Sequence, residues 1–365
     1  MAMKRIRAAL TFLVICGLIS CGIQSPSNIN GKNVNGKPYL VTIGTNSETL
    51  SILSEPDGTM QQSVTQTSQS PNDILQYNGS IYVLNSLSNS VTVYDDETLK
   101  LTNEFSVGED TNPYKFLILN DQLWITAYLT HEVLVYTTDG DRVRAITLSK
   151  AGSYYPFPEG IATDGSRVFA ACKDSSDVTA ATCNPNGGRV AVIRGDTVEC
   201  YIPTHAPDTS NVMISGGRLY MISSGSYAGG SGFREDGIIE SIALADISPT
   251  GENVTTVHAR NNSFGVCLIN GGSAFYGNLG NGKLIRYDIS DSDWTQTASL
   301  EFDGNGSLAF VSGMAFDNSR NILWVTEFNG NKLYRIDPTS FTIADQWHTS
   351  SETGGDAQGV LILSN

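Results

Sequence analysis

Three stretches of this 365-residue chain hold the side chains best suited to gripping a ligand. Tyr154, Tyr155, Pro156, Phe157 and Pro158 run into Glu159, and Tyr201, Ile202, Pro203, Thr204, His205, Ala206 and Pro207 run into Asp208. Aromatic rings stiffened by proline, beside a few polar groups, make a recognition surface that loses little conformational entropy on contact. The third stretch, 225–237, sets Tyr227, Phe233 and Arg234 among glycines and should adapt to what it touches. The candidate ligand-binding residues are therefore Tyr154, Tyr155, Phe157, His205, Asp208, Tyr227, Phe233 and Arg234. Conventional catalysis finds less support. The four histidines, His131, His205, His258 and His348, show no HxH or HExxH spacing, so a zinc centre is not expected.

Composition narrows the possible partners. With 40% hydrophobic and 16% charged residues, the charges not gathered into runs, the chain reads as globular and not disordered. Its formal net charge of -15, with no Lys/Arg cluster in the folded part, repels phosphate, so no nucleic-acid partner is expected.

The N-terminus carries an address. Lys4, Arg5 and Arg7 precede an apolar run over 8–18 that is too short to span a bilayer, which is the layout of a secretory signal peptide. Leu18-Ile19-Ser20-Cys21 resembles the lipobox of bacterial lipoproteins. That resemblance implies residues 1–20 as a lipoprotein signal peptide, lipidation of Cys21, and membrane attachment through the N-terminal lipid. Residues 21–38, rich in Gly, Asn and Ser, then form a flexible tether with a reach of roughly 20 Å. Removal of 1–20 leaves 19 basic against 37 acidic groups, a net of -18, so anionic headgroups would repel the domain and the lipid must do the anchoring. No Asp follows Cys21. In enteric-type sorting rules this implies the outer membrane, and whether the domain faces the periplasm or the surface stays open.

Export sets the redox expectation. Cys172, Cys183, Cys200 and Cys267 remain in a compartment that permits disulfides, and four cysteines allow three pairings. Cys172 and Cys183 bracket one local loop, so a bridge between them is favoured, with Cys200 and Cys267 as buried thiols.

The elements that must position these residues repeat along the chain. Strands are expected to begin at Leu40, Ile81, Leu123, Val168, Leu219, Phe275 and Leu323, at intervals of 41, 42, 45, 51, 56 and 48 residues. Their second residues are Val41, Tyr82, Trp124, Phe169, Tyr220, Tyr276 and Trp324, aromatic in six of seven. A further strand follows each, as at Val91, Val133, Leu284 and Leu333. A period in the forties with Gly/Asn/Asp punctuation predicts an all-β, seven-bladed β-propeller over 39–365. The chain ends in GVLILSN from Gly359, which matches the innermost strands begun by Gly160, Gly265 and Gly313, whereas LVTIG at Leu40 has no such strand before it. The C-terminal strand should therefore join the N-terminal blade and leave no unpaired edge.

Two blades resemble known families. YVLNSLSNSVTVYDDETL, over 82–99, looks like the YVTN repeat of β-propellers, and WVTEFNGNKLYRIDP, over 324–338, is similar to streptogramin-lyase-like blades. The resemblance implies the fold across the chain. It implies no one chemistry, because function on such folds lives in the site. Streptogramin lyases place a His before the final blade; the matching position is Ser312-Gly313, which puts lyase chemistry in doubt. Residues at the starts of the innermost strands, among them Asn72, Asp73, Tyr114, Lys115, Glu159, Asn211, Phe264 and Gln358, should lie nearest the central channel. Calcium-dependent lactonase-type propellers resemble this arrangement, and on that analogy Asn72, Asp73, Glu159 and Asn211 are the candidate metal ligands.

Loop lengths select a face. The step from each of these strands to the next is 10 residues in four blades and 9 in one, but 22 from Val168 to Val190 and 23 from Leu219 to Ile242. Such insertions gather on the binding face. The expectation is a lipid-anchored cell-envelope binding module, non-catalytic, that takes a protein, glycan or small molecule on this top face. The alternative is a calcium-dependent lactonase or hydrolase with its metal at the channel mouth.

Overall fold

The computed structural model describes residues 38–55, 58–177, 182–227, 233–250, 252–289, 294–352 and 354–364. The expected signal peptide, Cys21 and most of the expected tether lie outside the described residues. The described residues form seven four-stranded antiparallel sheets, the seven-bladed β-propeller architecture. Blade 1 contains β1 (Leu40–Gly44), β2 (Thr49–Leu53) and β3 (Met60–Gln66); blade 2 is β4 (Pro71–Tyr77), β5 (Ser80–Asn85), β6 (Ser90–Asp95) and β7 (Leu101–Ser106). Blade 3 is β8 (Pro113–Leu119), β9 (Gln122–Ala127), β10 (Glu132–Thr137) and β11 (Arg142–Thr147). Blade 4 is β12 (Tyr155–Thr163), β13 (Val168–Ser175), β14 (Arg189–Arg194) and β15 (Thr197–Pro203). Blade 5 is β16 (Thr209–Ser215), β17 (Arg218–Ser223), β18 (Gly237–Ala243) and β19 (Thr256–Asn262). Blade 6 is β20 (Phe264–Asn270), β21 (Ser273–Asn278), β22 (Leu284–Asp288) and β23 (Thr295–Leu300). Blade 7 is β24 (Val311–Asp317), β25 (Ile322–Glu327), β26 (Lys332–Asp337) and β27 (Thr342–His348), and β28 (Ala357–Ile362) follows.

Each strand that carries the repeated apolar start is the second of its blade and is buried almost throughout, as in β1, β5 and β13. A strand covered on both faces must be apolar along its whole length, which is why the aromatic second positions repeat. Outer strands β7, β11 and β27 face solvent for most of their length and carry charged and hydroxyl side chains that blunt their edges. Tight hairpins join first to second strands. At Asn78-Gly79 both residues have positive φ, 46° and 73°, which Asn and Gly tolerate and most residues do not. Among the described residues no helix is long and apolar enough to cross a membrane.

The chain divides into two compact units, 1–109 with 302–365 and, as the second, 110–301. The first holds blades 7, 1 and 2. Here β28 pairs antiparallel with β1, Leu40 opposite Ile362 and Ile43 opposite Gly359, so the C-terminal strand completes the first blade as its sequence anticipates. Buried Asp356 clasps the junction by accepting from the backbone N–H of Asn46 and Ser47, both at 2.8 Å, and from Ser47 Oγ at 2.9 Å. Tyr39 adds a second lock, donating to Asp317 at 2.5 Å while its oxygen accepts from Trp324 Nε1 at 3.2 Å.

The second unit holds blades 3 to 6, with an apolar wedge at each junction. Trp124, Val133 and Val135 meet Val168, Ala170 and Cys172 between blades 3 and 4. Phe169 and Val190 meet Val212 and Met221 between blades 4 and 5.

Candidate functional site

Both long insertions belong to the second unit. The one between β13 and β14 is held at its base by a buried ion pair, Arg189 Nε to Asp174 Oδ1 at 2.9 Å, with the guanidinium 4.8 Å over the Tyr201 ring. Ser175 Oγ donates to Thr182 O at 2.7 Å and Asn184 N to Asp174 O at 2.8 Å, which continues the strand ladder into the loop. Gly187 has φ 114°, and a Cβ there would stand 1.9 Å from Thr204 O, so only glycine lets the returning loop lie against the connection to blade 5. Thr204 Oγ1, at 2.6 Å from Thr209 Oγ1, and Thr209 Oγ1, at 3.0 Å from Ser223 Oγ, carry that seam into blade 5. The second insertion, between β17 and β18, has its stem fixed by Asp236, which accepts from Ser226 N at 2.7 Å, and its arms joined by a bridge between Tyr227 and Phe233.

Under the first insertion lies a buried polar cluster. Glu159, Lys173 and Asp208 are only 3, 8 and 7% exposed. Thr126 Oγ1 reaches the Glu159 carbonyl at 2.8 Å and fixes the strand that carries it, and Gly160 lets β12 press on β16, where a Cβ would meet Asn211 Cα at 2.7 Å. Lys173 Nζ stands 3.9 Å from Asp208 Oδ1 and is hydrogen-bonded to Cys183. Glu159 Oε1 and Asp208 Oδ1 receive no hydrogen bond, and among the described residues they are the only carboxylate oxygens buried in that condition. An unpaired buried acceptor loses its water without replacement, at roughly 1–3 kcal/mol, so such a pair asks for an explanation.

Electrostatics follow from the burial. Desolvation, then the neighbouring Asp208 charge, pushes Glu159 well above the usual carboxylate range against the pull of Lys173. Asp208 is raised by burial, with Lys173 opposing. Burial lowers Lys173, but Asp208, Cys183 and Glu159 together outweigh it and keep the ammonium charged. The Cys183 thiol is pushed up to about 11 by burial and by Asp208, so it is protonated. Tyr114 and Tyr128 are both driven up by burial and then by Glu159. The two phenols stack at 5.8 Å, Tyr128 rests on Phe157 at 5.0 Å, and His131 meets Phe157 edge-on at 4.5 Å. His131 is lowered by burial and stays neutral, with Nδ1 donating to Pro156 O at 2.7 Å.

The structure sorts the nominated residues into four groups. Asp208 joins Glu159 in the buried cluster. Tyr155 and Phe157 lie within β12 and not in a connection, because a bulge between Pro158 and Ile161 lets the strand continue through the prolines. Phe157 is fully buried beneath Tyr128, so it supports the wall without presenting a surface; Tyr154 and Tyr155 are half-buried, with Lys150 Nζ 4.0 Å over the Tyr155 ring. His205 is exposed, its Nδ1 donating to the buried Glu240 carboxylate at 2.7 Å. Tyr227 and Phe233 meet edge-on at 5.3 Å, and Arg234 is exposed.

Two expectations are corrected. Cys172 and Cys183 are free thiols. Neighbouring strand residues point to opposite faces, so Cys172 enters the apolar wedge between blades 3 and 4, whereas Lys173 faces Cys183. Phe264 packs fully into the wedge between blades 5 and 6 and does not face a channel. Of the candidate calcium ligands, Asn72 lies in the first unit, where its Oδ1 accepts from Gln358 at 3.4 Å, and Glu159 and Asn211 lie in the second. Asn211 Oδ1 turns back to accept from Val212 N at 2.9 Å. Among the described residues no group of three or more His, Cys, Asp or Glu is placed to hold a metal ion.

Lys173, Tyr114 and Tyr128 are the members of the cluster that the binding-residue reading missed. A signal existed: VFAACKDS puts a Lys and an Asp at the end of an otherwise apolar strand, immediately before a long insertion.

Neither a family model nor a curated protein matches the chain. Solved structures do resemble it. The periplasmic gluconolactonase of Pseudomonas aeruginosa is similar at TM-score 0.64 and 14% identity, over 89% of this chain and 99% of that one. A putative 6-phosphogluconolactonase of Bacteroides fragilis gives 0.63 and 12%, over 93% and 100%. Virginiamycin B lyase of Staphylococcus aureus gives 0.56 and 14%, over 78% and 85%. At such identities the likeness speaks for the seven-bladed β-propeller fold and for nothing finer.

Proposed function

We propose that this chain is a cell-envelope binding module that takes its ligand at the insertion-bearing end of the second unit, tethered to the outer membrane by lipid on Cys21. The observation that carries the binding reading is the pair of buried acceptors without a hydrogen bond, Glu159 Oε1 and Asp208 Oδ1, beneath a loop whose base is built and braced. Sites made to hold a polar group keep acceptors ready for it, and that is costly where nothing binds. The half-buried Tyr155 and the Tyr227–Phe233 pair supply aromatic area of the kind recognition surfaces use. The lipid reading rests on the Leu18-Ile19-Ser20-Cys21 sequence and predicts that Cys21→Ala moves the protein from the detergent phase to the aqueous phase on Triton X-114 partition.

A thermal-shift screen of metabolites and short glycans against the full chain tests the binding reading. A stabilising compound should lose its effect both in Glu159→Gln and in a variant with 228–232 shortened. Stabilisation that survives both changes would move the site elsewhere. The calcium-dependent lactonase reading is separated by metal analysis: stoichiometric calcium lost on Glu159→Gln or Asn211→Ala would replace the binding reading with it.

A further inference from the structure

Resting on that reading of the site, we infer that its ligand presents one organic ammonium group, which inserts beside Glu159 and Asp208 against the Tyr114–Tyr128 pair.

Charge and hydrogen-bond counts converge on this class. When both carboxyls are ionised, Glu159 and Asp208 contribute two negative charges and Lys173 one positive, so the site is one positive charge short. It is short of donors as well: Glu159 Oε1 and Asp208 Oδ1 accept nothing, and the one nearby ammonium is 3.9 Å from Asp208 and engaged with Cys183. An anion worsens the first deficit. A neutral hydroxyl can fill the second but leaves the first. A hard metal cation needs six or more oxygens, and here Lys173 stands among the few present. An alkylammonium meets both demands, and its alkyl part can rest against the Tyr114–Tyr128 pair, whose phenols both feel the Glu159 charge.

Without ligand, the deficit is met by a proton held on the carboxyl pair. Insertion of the cation therefore expels that proton, and affinity must rise with pH. The groups facing the pair are Tyr114 from β8, Tyr128 after β9, Lys173 from β13, and Cys183 from the insertion, with Asp177 acting on Tyr128. The phenols, the ammonium and the thiol are all pushed upward, so the proton that insertion displaces comes from the carboxyl pair.

The test is calorimetric titration of the full chain with n-butylammonium, n-butanol and butyrate in two buffers of different ionisation enthalpy. Saturable binding of butylammonium is expected, with release of up to one proton and an affinity gain of at most about tenfold per pH unit. Glu159→Gln should weaken binding by at least about tenfold and flatten its pH dependence. Tyr128→Leu should weaken it a few-fold without altering the proton count. A Gly-Lys-Gly peptide separates the two sources of an alkylammonium. Tighter binding than the free amine assigns the group to a partner's lysine, and exclusion of the peptide assigns it to a small amine.

Butanol binding as tightly as the amine, or butyrate more tightly, with both abolished by Glu159→Gln, would overturn the cation class and leave the site. No saturation by any probe up to on the order of 10 mM would overturn the inference outright. The screen with the shortened 228–232 loop would then decide the site reading separately.

Discussion

Each unit buries carboxylates that folding has satisfied, and the second adds a buried pair that it has not. In the first, Glu327 accepts from the backbone N–H groups of Phe310 at 2.8 Å, Asn329 at 3.0 Å and Gly330 at 2.6 Å, and Asp356 accepts from Asn46, Ser47 and the Ser47 hydroxyl. Both are fully buried and both are satisfied. In the second, Glu240 and Asp174 are likewise satisfied, by His205 and Arg189, but the buried Glu159 and Asp208 leave Oε1 and Oδ1 without a hydrogen bond beside a single ammonium. Burial of an acid therefore does not mark a site. What marks it is burial without partners, because folding alone would select against it.

The largest expected effect breaks or keeps this contrast. Asp356→Ala strips three donors of their acceptor at the seam between β28 and β1 and should cost about 3 kcal/mol, read as a fall in the urea midpoint. Glu159→Gln replaces a carboxyl whose Oε1 has no donor to lose and should fall within about 1 kcal/mol of the parent in either direction. Equal losses would mean that Glu159 is a structural acid after all.

A pH series sharpens the same contrast at smaller amplitude. The folded-state pKa of Glu159 is raised above its ordinary value of 4.5, so between that value and the raised one the folded chain holds a proton that the unfolded chain has released. Stability contributed by that proton is present at low pH and is lost as pH rises through the folded value, with a slope of at most about 1.4 kcal/mol per pH unit. Asp164 works in the other direction. Burial opposes its charge, but the N–H groups of Arg167 and Ser166 and the Arg167 side chain overcome this and hold it at about 2. Its contribution is present above the ordinary 3.8 and disappears as pH falls toward 2. Glu159→Gln should flatten the decline above about pH 5 and leave the acid limb intact. An unaltered slope would remove the shared proton on which the cation exchange depends.

What could be read from the chain beforehand divides along physical lines. Strand starts and the clasp by GVLILSN follow from local pattern, since a strand covered on both faces must be apolar, and the repeat shows this seven times, with an aromatic second residue in six. Side-chain destination is less local. The bulge after Pro158 shifts register, which sends Phe157 into the interior and leaves Tyr155 half-buried, and no spacing rule announces a bulge. Likewise the partnership of Glu159, Lys173 and Asp208 joins an inner strand, its neighbour and the connection to the next blade, and becomes visible only once β12, β13 and β16 are packed. The prolines and the insertion lengths pointed to the neighbourhood in which Glu159 and Asp208 lie; the ammonium within it was legible only as a charge out of place in an apolar strand.

The smallest effect concerns the two thiols that bracket the first insertion, and it tests whether the cluster's field is real. Cys172 lies in the apolar wedge, its thiol pushed up to about 12 by burial. Cys183, at about 11, is raised by burial and then by Asp208, while Lys173 pulls it down. Only the thiolate reacts, so at about pH 8 both should alkylate slowly under native conditions, Cys183 ahead of Cys172 because it is less buried. Asp208→Asn removes the charge that raises Cys183 and leaves the ammonium that lowers it, so labelling of Cys183 should speed up by several-fold, at most about tenfold per unit of pKa, with Cys172 unchanged. Peptide mapping of the unreduced, alkylated protein reads both sites at once. A peptide joining Cys172 to Cys183 would contradict the opposed faces of β13, and a Cys183 rate indifferent to Asp208→Asn would show that the second unit's carboxylates exert no field on their surroundings, which would erase the difference between the two units.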